Sequence, residues 1–266
     1  MVNQILFVVL PYLSAAIFLV GVLYRFILWM KAPVPLRIVT TPAPKTRRGV
    51  AWRMAGDVLW FPSLIKADMP LWAAGWTFHM LLWMVLLRHL RYFLYPVPGW
   101  VEGIQTAGLY AGYLIPIPLA ALLIRRLATE RNLYISILGD YFSLFLLLGI
   151  SVSGFLLGVF FRTYIVDVKA LALGLVHFNP VQVEVHWLFA LHFLLVLVLL
   201  IYFPFSKLMH AGGLFLSPTR NQRANFEKRF VNPWDDDYPV SYNPENIFPP
   251  EKYSEMLKKP KSEDKS

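Results

Sequence analysis

The sequence predicts an all-α integral membrane protein, a bundle of five transmembrane helices. Three observations point there. Of 266 residues, 57% are hydrophobic, and the mean hydropathy is +0.52. Soluble domains usually hold about 45–50% apolar residues. The apolar residues gather into five stretches, each about the 20 residues that cross a hydrocarbon core. The basic residues collect in alternate loops, as they do when they set topology.

The first span is expected from about Asn3 to Met30, with Pro11 tolerable inside a membrane helix. The second runs from about Pro70 to Phe93. The third, about Val101 to Ile124, contains the kinking pair Pro116 and Pro118. The fourth is about Asp140 to Phe161 and the fifth about Val185 to Met209. Aromatics make up 16% of the chain, consistent with Trp and Tyr at both membrane interfaces.

The loop between the first two spans carries Lys31, Arg37, Lys45, Arg47, Arg48, Arg53 and Lys66, and the next loop on that side carries Arg125, Arg126 and Arg131. The opposite loops hold Lys169, with Arg91 and Arg162 at their edges. The positive-inside rule then places the protein in the cytoplasmic membrane with its N-terminus outside and its C-terminus in the cytoplasm. The start MVNQILFVV lacks a basic region and a small-residue cleavage site, so it reads as a retained span. The net charge of +9 is thus a matter of topology and implies no nucleic-acid partner. In the outer loop, VKALALGLV is too short to span and is expected to form an interfacial helix. Residues 1–210 form the transmembrane domain, and 211–266 a cytoplasmic tail that is either an arm ordered by a partner or disordered.

The chain has no cysteine. That excludes disulfides, thiolate-held iron–sulfur clusters and c-type haem attachment within it. Any redox centre here must use other ligands, and an iron–sulfur partner would be another subunit.

Six histidines stand out: His79, His89, His177, His186, His192 and His210. Ionisable residues inside a membrane are costly and mark function, although a single one often only bonds to a neighbouring helix. Their arrangement is informative. The second span runs outward and the fifth inward, so His79 and His210 fall on the inner side, while His89 and His192 fall on the outer side. His192 and His210 are 18 residues apart, about five turns, and would share one face of a continuous helix. Two stacked imidazole pairs suit two haems b with axial ligands His79 and His210 (inner) and His89 and His192 (outer). Zinc fits less well, because a structural site needs four converging ligands. The axial lengths disagree: about 15 Å from His79 to His89, but about 27 Å from His192 to His210 in a straight helix. Tilt and a bend at Pro204 are expected to absorb the difference.

The segment FPFSKLMH, the histidine 18 residues before its end and the two histidines ten apart on an earlier span resemble the gamma subunit of respiratory nitrate reductase, a membrane cytochrome b. The stretch FPSLIKADMPLWAAGWTFHM and the tail GGLFLSPTRNQR…NPW resemble more closely the DsrM-like branch of sulfite-reduction complexes. The resemblance implies five spans, two haems b with the same pairing, menaquinone as electron partner, and a cytoplasmic iron–sulfur subunit similar to the catalytic subunit of heterodisulfide reductase, alongside other membrane and extracytoplasmic redox subunits. Two departures stand out. Arg88 precedes His89 where that family has glycine, and VEGIQTAGLY lacks the family's quinol-site lysine.

Haem propionates call for cations. Arg88 is the candidate at the outer haem, and Lys207, Arg125 and Arg126 are candidates at the inner one. A quinol site needs hydrogen-bond partners and a proton exit. His186, His177, Glu184, Asp167 and Glu102 are the ionisable groups available on the outer side. A proton-coupled transporter with an intramembrane His/Arg relay is the rival reading, and a non-redox membrane anchor is a third.

Overall fold

The computed structural model describes residues 4–32, 43–161 and 163–224, and every regular element within these is a helix. Five helical segments are long and apolar enough to cross a membrane: Ile5–Lys31, Met69–Tyr92, Gly99–Ala128, Leu138–Val159 and Trp187–Phe205. They match the five spans expected from the sequence, making this a multi-pass membrane protein. Their outward side chains are apolar, with Leu19, Val20 and Leu23 each 60% exposed or more. A helix apolar all round suits lipid as its solvent.

Lipid gives helices little hydrophobic reason to associate, so close approach must come from small residues. The second and third spans show how. Gly108 and Gly112 lie one turn apart on the third span and face the second. A Cβ at Gly108 would stand 2.5 Å from Arg88 Cβ and 2.9 Å from the Met84 carbonyl oxygen. The third span breaks at Ile115 between helices Gly99–Leu114 and Pro116–Ala128, as Pro116 and Pro118 foretell. Ile115 and Leu119 at this break join Phe78 of the second span in a buried cluster that Leu144, Leu147 and Leu148 of the fourth span cover.

The fifth span departs from expectation. Its α-helix ends at Tyr202, a 3-10 turn covers Phe203–Phe205, Ser206 is extended, and a second 3-10 turn covers Lys207–Met209. His210 begins a separate short helix, His210–Leu216. His192 and His210 therefore do not share one face of a single rod. Proline has no N–H to give and clashes with the preceding turn, so Pro204 stops the helix. The first span secures the break. Gly21 leaves room for the proline ring, since a Cβ there would meet Pro204 Cβ at 2.6 Å. Arg25, one turn on, donates from Nε to the Pro204 carbonyl at 3.1 Å.

The outer-loop segment forms the helix Ile165–Val176. Its Leu171 packs with Phe7 of the first span and Phe189 of the fifth, so it is held by protein on at least one side. The loop before the second span, read from the sequence only as a basic connection, contains the helices Arg47–Trp60 and Pro62–Ala67. The indole N–H groups of Trp72 and Trp76 donate to the carbonyls of Trp60 and Leu59 at 2.8 and 2.7 Å.

Two compact units can be distinguished. One is Met1–Ala32 with Gly56–Leu216, and the other is Pro33–Ala55 with Ser217–Ser266. In the second, the Thr46 hydroxyl accepts from Gly49 N–H at 3.0 Å and caps the helix behind it. Arg53 donates to the Arg220 and Gln222 carbonyls. Arg37, Arg162 and the tail from residue 225 onward lie outside the described residues.

The tight crossing at Gly108 has a measurable consequence. Gly108→Ala must push a methyl into backbone and is expected to cost about 1–3 kcal/mol of stability, the usual penalty of overpacking. Gly103→Ala on the same span meets nothing within 4 Å and should be neutral or slightly stabilising. Unfolding titrations of the detergent-solubilised protein compare the two.

Candidate functional site

His79 lies mid-way along the second span and His210 opens the short helix after the break. Their ring centroids are 6.1 Å apart, with planes at 84°. At that spacing both imidazoles would be within reach of a single metal-bearing group. Phe61 and Phe78 stand edge-on to His79 at 5.1 and 5.0 Å. Phe61 has φ 49° and ψ 51°, a left-handed conformation uncommon outside glycine. It is the residue that turns the chain into Pro62 and brings this ring against His79.

His89 is the last residue of the second span's α-helix, and His192 lies on the fifth span. Of the two pairs expected from loop charge, the structure shows the approach of His79 and His210. Among the described residues no three or more His, Asp or Glu side chains gather as a metal group.

The Nδ1 atoms carry further information. His79 Nδ1 lies 2.7 Å from the Gly75 carbonyl, His89 Nδ1 2.7 Å from that of Val85, and His210 Nδ1 2.9 Å from that of Lys207. A carbonyl can only accept, so Nδ1 carries the proton in each ring and Nε2 keeps the lone pair. His192 Nδ1 lies 2.9 Å from the Ser153 hydroxyl. That hydroxyl has one proton, and the Gly149 carbonyl takes it at 2.7 Å. Ser153 is then left to accept from Nδ1–H. All four rings thus present Nε2 as the free donor atom. A metal-bound histidine has this tautomer, with its other nitrogen held by a hydrogen bond.

The remaining two histidines differ. His186 Nδ1 accepts from Leu188 N–H at 3.2 Å and caps the fifth span. Its proton is therefore on Nε2, the wrong tautomer for a ligand through that atom. Its ring stacks on Phe161 at 5.0 Å. His177 caps the helix Ile165–Val176, is exposed, and bonds the Leu173 carbonyl.

The basic candidates are all engaged. Arg88 Nη1 donates to the Gln105 carbonyl at 2.8 Å, and Arg91 Nη1 to Gln105 Oε1 at 3.1 Å. Gln105 of the third span thus fixes two guanidinium groups beside His89. Arg125 pairs with Asp68. Arg126 and Lys207 share Asp140, whose carboxylate is 7% exposed, at 3.1 and 2.8 Å. These three cations face two carboxylates, an excess of one positive charge. The propionate reading had not counted Asp68 or Asp140 as partners.

Glu102 and Asp167 sit in the first turns of their helices and Glu184 in the loop before His186. The residues that sequence reasoning passed over are Ser153, Asp140, Gln105 and Arg25. Arg25, a cation inside an apolar span, is itself a signal of function. Ser153 gave a weaker one, because serine is common in membrane helices.

Comparisons with known proteins identify the family. Residues 62–220 match the family model described as nitrate reductase gamma subunit, a stretch containing all four paired histidines. The chain is 37% identical to an Archaeoglobus fulgidus protein called Hdr-like menaquinol oxidoreductase cytochrome b-like subunit, over 88% of this chain and 85% of that one. It is 34% identical to the protein of the same name from Archaeoglobus profundus, over 86% of this chain and 82% of the relative. With its five spans and its histidines in the matched region, the chain belongs to the nitrate reductase gamma subunit family.

Proposed function

We propose that this chain is a di-haem cytochrome b subunit that exchanges electrons between menaquinone or menaquinol and a cytoplasmic iron–sulfur subunit, within an anaerobic respiratory complex linked to sulfite or sulfate reduction. One observation carries the reading: the rings of His79 and His210 meet across two helices, and Nδ1 is engaged in each of His79, His89, His192 and His210. His79 and His210 would hold the inner haem, and His89 and His192 the outer one. Bound haem would supply one-electron redox chemistry.

The chain's own residues do the rest. The backbone carbonyls of Gly75, Val85 and Lys207 fix three imidazoles in the ligating tautomer and raise their basicity. Phe61 and Phe78 exclude water from the His79 side. Arg88, with Arg91 beside it, is placed to meet a propionate near His89. The net positive cluster of Arg125, Arg126 and Lys207 does the same near His210, since arginine engages carboxylates in a bidentate manner. A quinol on the outer side would draw its partners from His177, Glu184, Asp167 and Glu102. His186 would offer Nε2–H as a donor, because its Nδ1 is committed to the helix cap.

The name of the Archaeoglobus relatives, which includes menaquinol, supports the quinone. The resemblance to the sulfite-reduction branch supports a partner similar to the catalytic subunit of heterodisulfide reductase, together with further membrane and extracytoplasmic redox subunits. The orientation read from loop charge, N-terminus outside, places the inner haem nearest that partner.

A pyridine haemochrome assay of the purified protein should find about two haems b per chain; finding none refutes the proposal. His89→Ala and His192→Ala should each retain about one haem and lose the same spectral component. His186→Ala should retain both and lose only cap stability, about 0.5–2 kcal/mol. Loss of a haem from His186→Ala, with both kept in His192→Ala, would break the assigned pairing.

A further inference from the structure

Three of the four paired histidines are oriented by their own stretch of chain, through the carbonyl three or four residues back. His192 is the exception. Its i−4 carbonyl would be that of Leu188, yet its Nδ1 bonds the Ser153 hydroxyl at 2.9 Å. Ser153 belongs to the fourth span, which carries no histidine. Ser153 is 4% exposed, and its oxygen is held by the Gly149 and Ile150 carbonyls at 2.7 and 3.0 Å. The next residue completes the arrangement. A Cβ at Gly154 would lie 3.2 Å from His192 Cε1 and 3.7 Å from Nδ1, so the ring rests directly on the glycine backbone.

We propose that Ser153 and Gly154 form a seat on the fourth span that orients the His192 imidazole as an axial ligand, making Ser153 a positioning residue for one haem and not the other. The inference rests on the di-haem reading above. Its physical content is an asymmetry between the two pairs. A hydroxyl is fixed in place by its own donation and can be removed without touching the backbone. Carbonyls serve the other three rings and cannot be mutated away. Accepting the Nδ1 proton raises the basicity of the imidazole and so favours ferric iron. Removing the acceptor should raise the midpoint potential of the haem that His192 holds and leave the other unchanged.

The test uses the purified full chain, with potentiometric titration of the haem absorbance and low-temperature EPR of the ferric state. In Ser153→Ala one midpoint should move upward and one low-spin signal should shift, with the second component unmoved. Ser153→Thr, which restores a hydroxyl, should return both toward wild type. Gly154→Ala should broaden or abolish the same component by pushing on the ring. Ser151→Ala is the control, because its hydroxyl bonds only the Leu148 carbonyl of its own helix; both components should stay in place. If the wild type shows two haem components and all these variants keep both unchanged, the seat is refuted while the di-haem reading stands. Equal movement of both components in Ser153→Ala would also overturn it. If the wild type binds no haem, the underlying reading fails instead. Should Ser153→Ala not assemble, the Thr and Gly154 variants still decide.

Discussion

The fixing of Nδ1 in each paired histidine is the interaction on which the candidate site depends. A side chain on a helix leans toward the helix start, so an imidazole at position i naturally meets the carbonyl at i−4. That carbonyl already accepts from its helix partner and has a second lone pair to offer. His79 and His89 use this geometry on the second span. The bond does not by itself mark a ligand, because exposed His177 makes the same one. What sets His79 apart is that its ring also meets that of His210, with Nε2 left free in both. In a medium with no water to complete its hydrogen bonds, a ring held this way has one nitrogen satisfied and one to spend on a metal.

The second constraint is the break at Pro204. A straight fifth span would carry His210 about 27 Å from His192 along its axis, while its partners on the second span are only about 15 Å apart. The break lets His210 reach His79. It also frees backbone groups inside the membrane, where an unsatisfied group costs several kcal/mol. Arg25 answers that need by donating to the Pro204 carbonyl, and Gly21 admits the ring. The first span supplies no histidine, yet it locks the bend that lets His210 reach His79. The fourth span supplies none either, yet it shares Asp140 with Lys207, whose carbonyl holds His210.

The spans and the approach of His79 to His210 were legible in the sequence because both follow from simple periodic quantities. Span length follows from hydropathy, and depth follows from residue count and loop charge. The proline break in the third span was legible for the same reason. The fifth span was read as continuous because a single proline in a membrane helix usually only kinks it. What converted the kink to a stop was cross-helix, namely Gly21 and Arg25, and single-span periodicity does not report cross-helix contacts. The helix Arg47–Trp60 escaped notice because its many arginines signalled topology more strongly than its pattern signalled a helix. The pairing of Arg126 and Lys207 with Asp140 was hidden too, since those residues come from three separate parts of the chain.

The central claim is that two imidazole pairs each hold one iron. Anomalous scattering at the iron edge from crystals of the purified protein tests it most directly. Two peaks are expected, one between His79 and His210 and the other between His89 and His192. A single peak, or iron bound at His177 or His186 in place of a pair, would contradict the account.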